Sequence, residues 1–176
     1  MNRWFCEDYY RMTGRRFKFW GQGIIDLLLR YDLRYMLFLR IKGNSLFWKL
    51  CSNHYSLKYG LEVFSTYIGR GLYLGHAHNI NVNPDAVIGC NCNINKGATI
   101  GKENRGKRKG APILGDCVWV GVNATIVGKI TIGNDVLIAP NSYVNFDVPD
   151  HSIVIGNPGI VIRRESATVN YISRVV

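Results

Sequence analysis

The sequence is short of the features that mark several protein classes. Its five cysteines (Cys6, Cys51, Cys90, Cys92 and Cys117) form no CxxC pair, and an odd count makes a poor disulfide framework. Cys90 and Cys92 flank a single residue, tighter than zinc spacing. Reduced thiols in a cytoplasmic protein without a metal are therefore expected. The opening MNRWFCEDYYRMTGRR has no apolar stretch behind its charges, so a secretory signal is not expected. The longest apolar stretch, residues 24–39, is interrupted by Asp26, Arg30, Asp32 and Arg34 and would not cross a bilayer cheaply. Acidic residues are scarce, 12 Asp and Glu against 22 Lys and Arg, leaving a formal charge of +10. That balance suits an anionic cofactor, an acidic polymer, nucleic acid or proximity to a membrane surface. No base-reading motif accompanies it and the cations gather on one loop, so nucleic acid is not the expected partner.

What the chain has is a rhythm of six. Ile68, Leu74 and Ile80 fall in phase, and after a two-residue slip so do Ile88, Ile94 and Ile100. Beyond an irregular stretch come Leu114, Val120, Ile126, Ile132, Ile138 and Val144. Gly69, Gly75, Gly89, Gly101, Gly115, Gly121 and Gly133, with Ala139, follow eight of these aliphatics. A period of six fits neither a helix nor a flat amphipathic strand. It fits a short strand and a corner, repeated, with each aliphatic pointing into a narrow three-sided interior and a small residue easing the turn. Val118, Ala124, Ile130, Val136 and Ser142 fill the interior beside the aliphatics.

Residues 1–58 lack the period. DLLLRYDLRYMLFLRI and LFWKLCSNHYSL show helical spacing, with Gly43-Asn44 as the break between them, and predict a small helical cap on the open end of the solenoid. The expected division is a cap over 1–58, a β-helix over 59–162 with a protruding loop at 101–113, and a tail over 163–176 lying along the outside of the coil or pairing with a neighbour. Outward apolar residues such as Tyr73, Leu137 and Tyr143 are expected on one flat face, buried in a closed homotrimer.

The hexads resemble those of the hexapeptide-repeat acyltransferases, which implies a left-handed parallel β-helix. IGRGLYLGHAHNINVNPDAVIG, the basic loop, WVGVNATIVGKITIG and DVPDHSIVIGNPGIVI resemble the serine acetyltransferase-like branch, nearest to its surface-polysaccharide O-acetyltransferases. The similarity covers roughly residues 60 to 162. It implies acetyl-CoA as co-substrate and an active site between adjacent subunits of a trimer.

Carried over position by position, the resemblance places the catalytic histidine at His76. An imidazole is suited to take a proton from an acceptor hydroxyl near neutral pH. Glu62 is the nearest candidate for the carboxylate that orients it, since the aligned residue is Leu61. His78 and Trp119 are candidate acceptor contacts, Trp119 by stacking on a sugar ring or the pantetheine arm. Arg105, Lys107 and Arg108, with Lys102 and Lys109, would meet the phosphates of CoA. Backbone groups near Val122, Asn123 and Pro140 would hold its pantetheine arm. Where serine acetyltransferases carry a second aspartate this chain has Gly75, and where they carry an Arg-His pair for the serine carboxylate it has Gly110 and Ala111. A sugar hydroxyl on a glycan precursor is therefore the expected acceptor. L-Serine, and a non-catalytic hexapeptide scaffold, are the alternatives.

Overall fold

A computed structural model describes residues 2–41, 46–65 and 67–176. Four helices come first: α1 (Arg3–Thr13), α2 (Gln22–Leu29), α3 (Tyr31–Ile41) and α4 (Leu46–Tyr59). The expected break at Gly43-Asn44 lies outside the described residues. Helix α1 was not anticipated, although its ends are written in the sequence. Asn2 caps it by accepting from the Trp4 N–H, and Gly14 closes it in the left-handed region. The apolar segment read as one helix is two, because Arg30 takes an extended backbone between α2 and α3.

The remainder is a three-sided parallel β-helix of five turns. The first turn is β1 (Leu61–Val63), β2 (Tyr67–Ile68) and β3 (Tyr73–Gly75). The second is β4 (Ile80–Val82), β5 (Val87–Ile88) and β6 (Asn93–Asn95). The third is β7 (Thr99–Gly101), β8 (Ile113–Leu114) and β9 (Val118–Val120), and the fourth β10 (Thr125–Val127), β11 (Thr131–Ile132) and β12 (Val136–Ile138). The fifth has β13 (Tyr143–Val144), a bridge from Val148 to Ile132, and β14 (Ser152–Ile155), on which β15 (Ile160–Arg163) folds back antiparallel. Strands of successive turns pair into three faces: β1-β4-β7-β10-β13, then β2-β5-β8-β11, then β3-β6-β9-β12-β14-β15. All twelve in-phase aliphatics are buried, so the six-residue rhythm predicts the core correctly.

The register moves the two-residue slip. On the first face Val63, Val82, Ile100, Ile126 and Val144 stand in one row, and Ile80 pairs with Leu61 one step to the side. The third face keeps Leu74, Ile94, Val120 and Ile138 in a row. The extra residues thus lie between Leu74 and Val82, not between Ile80 and Ile88. Sequence spacing cannot separate these placements, because Ile80 and Val82 are both apolar and both point inward.

An end coil has no neighbour to pair its backbone, and here the cap supplies the partners. The Tyr35 hydroxyl donates to Leu61 O and accepts from the Val63 N–H. Arg40 donates to the carbonyls of Ile68 and Gly69 and, at 2.6 and 3.0 Å, to both oxygens of buried Asp8. Asp8 in turn accepts from the Leu72 N–H, and Arg11 donates to Gly71 O. Cap and solenoid share one hydrophobic core through Phe5, Tyr9, Leu33, Met36 and Leu61.

The tail lies on the third face. Asp135 accepts from the Ala167 and Thr168 N–H groups and the Thr168 hydroxyl, and Tyr171 packs edge-on against Trp119 at 5.0 Å. This corrects the apolar face expected for trimerisation. Tyr73 and Leu137 belong to the third face, where Leu137 is buried within the chain, whereas Tyr143 is on the first. The thiols of all five cysteines are free, and burial pushes Cys92 up to about 12.

Candidate active site

The slip is where the chemistry-bearing side chains are. Three regular corners join the third face to the first, and each turns through one left-handed residue: Gly97, Asn123 or Asn141. The corner of the first turn has two residues more and turns through two, His76 (φ 51°) and Asn79 (φ 51°). A non-glycine residue in this region is uncommon, and histidine, with asparagine and aspartate, is among the residues that enter it more readily. Ala77 is buried under the corner while His76 and His78 stand out into solvent.

The two imidazoles differ in their surroundings. His78 Nδ1 lies 2.9 Å from the Tyr31 hydroxyl, which also lies 3.2 Å from Ala77 O. Tyr31 stacks on Tyr59 (4.1 Å, 9°), and both rings meet His78 near edge-on. Burial, with Asp32 and Tyr59 adding, raises the pKa of Tyr31, so this hydroxyl stays protonated. His78 is thus braced against the cap. No side-chain hydrogen bond of His76 is found among the described residues.

No hydrogen bond between Glu62 and His76 is found among the described residues. Glu62 Oε1 accepts from Ser56 Oγ (3.0 Å) and its Oε2 from Asn81 Nδ2 (2.9 Å), tying α4 to the first face. Gly75 has a steric reason to be glycine. A Cβ there would collide with Asn95 Oδ1, and Asn95 is fixed by donating to Val120 O. The asparagine of the second turn fills the place a longer side chain at 75 would need.

Val122 and Pro140 stand two residues beyond the third-face aliphatics Val120 and Ile138, as His76 stands beyond Leu74. These candidate cofactor positions therefore lie along the same prism edge as His76. As amide donors they are unequal. Pro140 has no N–H, and that of Asn123 is spent on Lys96 O at 3.0 Å. Val122 is the amide left to offer.

Arg105, Lys107 and Arg108 project from the corner between the first and second faces, across the first face from His76. The loop is braced at its base: Glu103 and Gly110 exchange N–H···O bonds of 2.9 Å, and Arg108 O accepts from the Lys129 N–H. A recess of about 300 Å³ opens between these three cations, Glu103, Val127 and Asn145. Trp119 is apart from both, in the middle of the third face under Tyr171. One chain therefore unites His76, His78 and the Val122 edge, and separates them from the cationic loop. Tyr31, Tyr59 and Asn95 escaped the sequence reading, since nothing in their spacing links them to the histidines. Among the described residues no group of three or more His, Cys, Asp or Glu is placed to hold a metal.

The fold is a parallel β-helix built of hexapeptide repeats. Residues 111–145 match the family "Bacterial transferase hexapeptide (six repeats)". The chain is 33% identical over 123 residues to a serine acetyltransferase of Synechococcus elongatus, covering 69% of this chain and 50% of the relative. It is 32% identical over 111 residues to that of Staphylococcus xylosus, covering 62% and 51%. The chain thus spans about half the length of these curated relatives. Among solved structures it is similar to the Neisseria gonorrhoeae serine acetyltransferase in complex with serine, at 27% identity and a TM-score of 0.69, covering 91% of this chain and 68% of that one. The soybean serine acetyltransferase complexed with serine matches at 28% and 0.65, covering 78% and 60%. These relatives are serine acetyltransferases, which does not support the polysaccharide assignment expected from the sequence.

Proposed function

We propose that this chain is an acetyl-CoA-dependent O-acetyltransferase with His76 as general base and L-serine as the acceptor its relatives favour. The observation that carries the reading is the exposed His76 imidazole, held in a left-handed backbone at the one corner from the third face to the first that is two residues longer than the other three. His76 takes the proton of the acceptor hydroxyl as the oxygen attacks the thioester carbonyl. The O–C bond forms, the C–S bond of the tetrahedral intermediate breaks, and the proton on the imidazolium passes to the departing CoA sulfur. The Val122 amide and the cations Arg105, Lys107 and Arg108 are the groups suited to CoA, by hydrogen bond and by charge.

Since the cationic loop and His76 sit at opposite edges of the first face, the site is completed by a neighbouring copy in a closed trimer. The first face has Thr99, Thr125 and Tyr143 on its outside and lacks the tail that covers the third. A monomeric active species would refute this arrangement. A second acceptor, a sugar hydroxyl, is favoured by one feature: Gly75, Gly110 and Ala111 offer no side-chain partner for an amino acid's charged ends. CoA-thiol release, measured with L-serine and a panel of sugars on the wild type and His76→Ala, tests both. Serine-dependent release lost in His76→Ala supports the first reading, and release with a sugar alone the second. Equal release by the variant on every acceptor would refute His76 as the base.

A further inference from the structure

The cap carries a surface that acyl transfer does not use. On α2, Ile25, Leu28 and Leu29 follow i, i+3, i+4 spacing and are 45%, 71% and 77% exposed. Just before the helix Phe19 and Trp20 are 65% and 85% exposed, their rings edge to face at 6.1 Å. An indole left this open is unusual unless something wet on one side and apolar on the other receives it. The flanking charge is of one sign. Arg15, Arg16 and Lys18 are exposed, and no carboxylate within ion-pair distance of Arg16 or Lys18 is found among the described residues. The acid of α2, Asp26, turns inward to the Tyr9 hydroxyl (2.6 Å) and Gln22 (2.8 Å), with Arg15 at 3.9 Å.

We infer that α2 and the Arg15–Trp20 segment form an interfacial docking site for an anionic lipid bilayer. Trp20 and Phe19 sit at the headgroup boundary, Leu28 and Leu29 enter the acyl region, and the three cations meet anionic headgroups. An eight-residue helix, about 12 Å long, suits lying in the interface and not crossing it, and no described helix is long and apolar enough to span. A second copy of the chain is the poorer occupant, because a two-fold contact would set Arg15, Arg16 and Lys18 against their own equivalents. The inference is independent of the acyl acceptor.

Flotation of the full chain with phosphatidylcholine–phosphatidylserine vesicles, against phosphatidylcholine alone, tests it. The wild type is expected to float with the anionic vesicles and to be released by salt. Combined Arg15→Ser, Arg16→Ser and Lys18→Ser should weaken partitioning about a hundredfold, at roughly fivefold per cation. Leu28→Ser with Leu29→Ser should weaken it about tenfold or more, with CoA release in vesicle-free solution unchanged in both variants. Should the leucine variant unfold, quenching by brominated lipid of the wild type and not of Trp20→Phe gives the same answer. No flotation on anionic vesicles, or equal flotation by every folded variant, overturns the proposal. So does a fall in particle mass by light scattering in the leucine variant, which would make a second copy the occupant.

Discussion

The first turn of the solenoid and the four behind it share faces, aliphatic rows and pairing, yet they differ at two places. The later turns pass from the third face to the first in six residues with one left-handed glycine or asparagine. The first takes eight, puts a histidine in the left-handed position and raises two imidazoles above the prism. It is also the turn with an unpaired edge, and so the one on which the helices sit. Repetition supplies stability, and the two candidate histidines stand where repetition is broken beside an end that needs a lid. Tyr31 and Tyr59 join the two differences, since the helices that close the edge also brace His78.

The largest test of that contrast is His76→Ala, expected to lower kcat by about a hundredfold to ten-thousandfold with melting unchanged. His78→Ala should cost much less, because its Nδ1 is engaged by Tyr31. Excising Ala77 and His78 would give the first corner the six-residue spacing of the others while keeping His76. We expect the circular dichroism of a folded solenoid with activity down at least about a hundredfold, the cost of a misplaced reacting group. Full activity would show that the longer corner is incidental. Tyr35→Phe probes the closed edge. Burial pushes this tyrosine up to about 12, and losing its hydroxyl leaves Leu61 O and Val63 N–H unpaired. Denaturant unfolding should show a loss of about 1–3 kcal/mol.

Two smaller effects belong to the later turns. Lys107→Ser with Arg108→Ser should raise KM for acetyl-CoA by about fivefold at low salt and leave kcat alone, as screened exposed charges do. Asp135 fastens the tail. Burial raises its pKa, but hydrogen bonds from Thr168, His151 and the Thr168 and Ala167 amides outweigh that and hold it below the usual carboxylate value. Its contribution is therefore complete above about pH 4 and fades as pH falls through the lower, folded-state value. Hydrogen exchange over residues 166–176 should quicken in that acid range, and Asp135→Asn should quicken it at neutral pH.

The solenoid was open to reading because each hexad obeys one local rule, an aliphatic inward and a small residue after it, and the rule leaves a mark at every repeat. His76 was singled out by motif order, and Arg105, Lys107 and Arg108 by their crowding in a Gly-rich segment, which the proposed function takes up. For Glu62, closeness in sequence to an aligned position says nothing of Ser56 and Asn81, which take its oxygens. Tyr73, Leu137 and Tyr143 look alike as outward apolar residues in a hexad count. Only the stacking of turns assigns them to two faces, and only the tail's return covers one of those faces.

By itself the sequence determined the three-sided coil, its core rows and the stretch that holds the histidines, because a short-range period dictates strand, corner and burial together. The tertiary structure decided which corner is longer, which imidazole is braced and which open, why residue 75 stays glycine, and how the end coil's backbone is paired. Each of these rests on contacts between residues far apart in the chain, Tyr31 with His78 and Arg40 with Ile68 among them. A periodic pattern carries no record of such contacts.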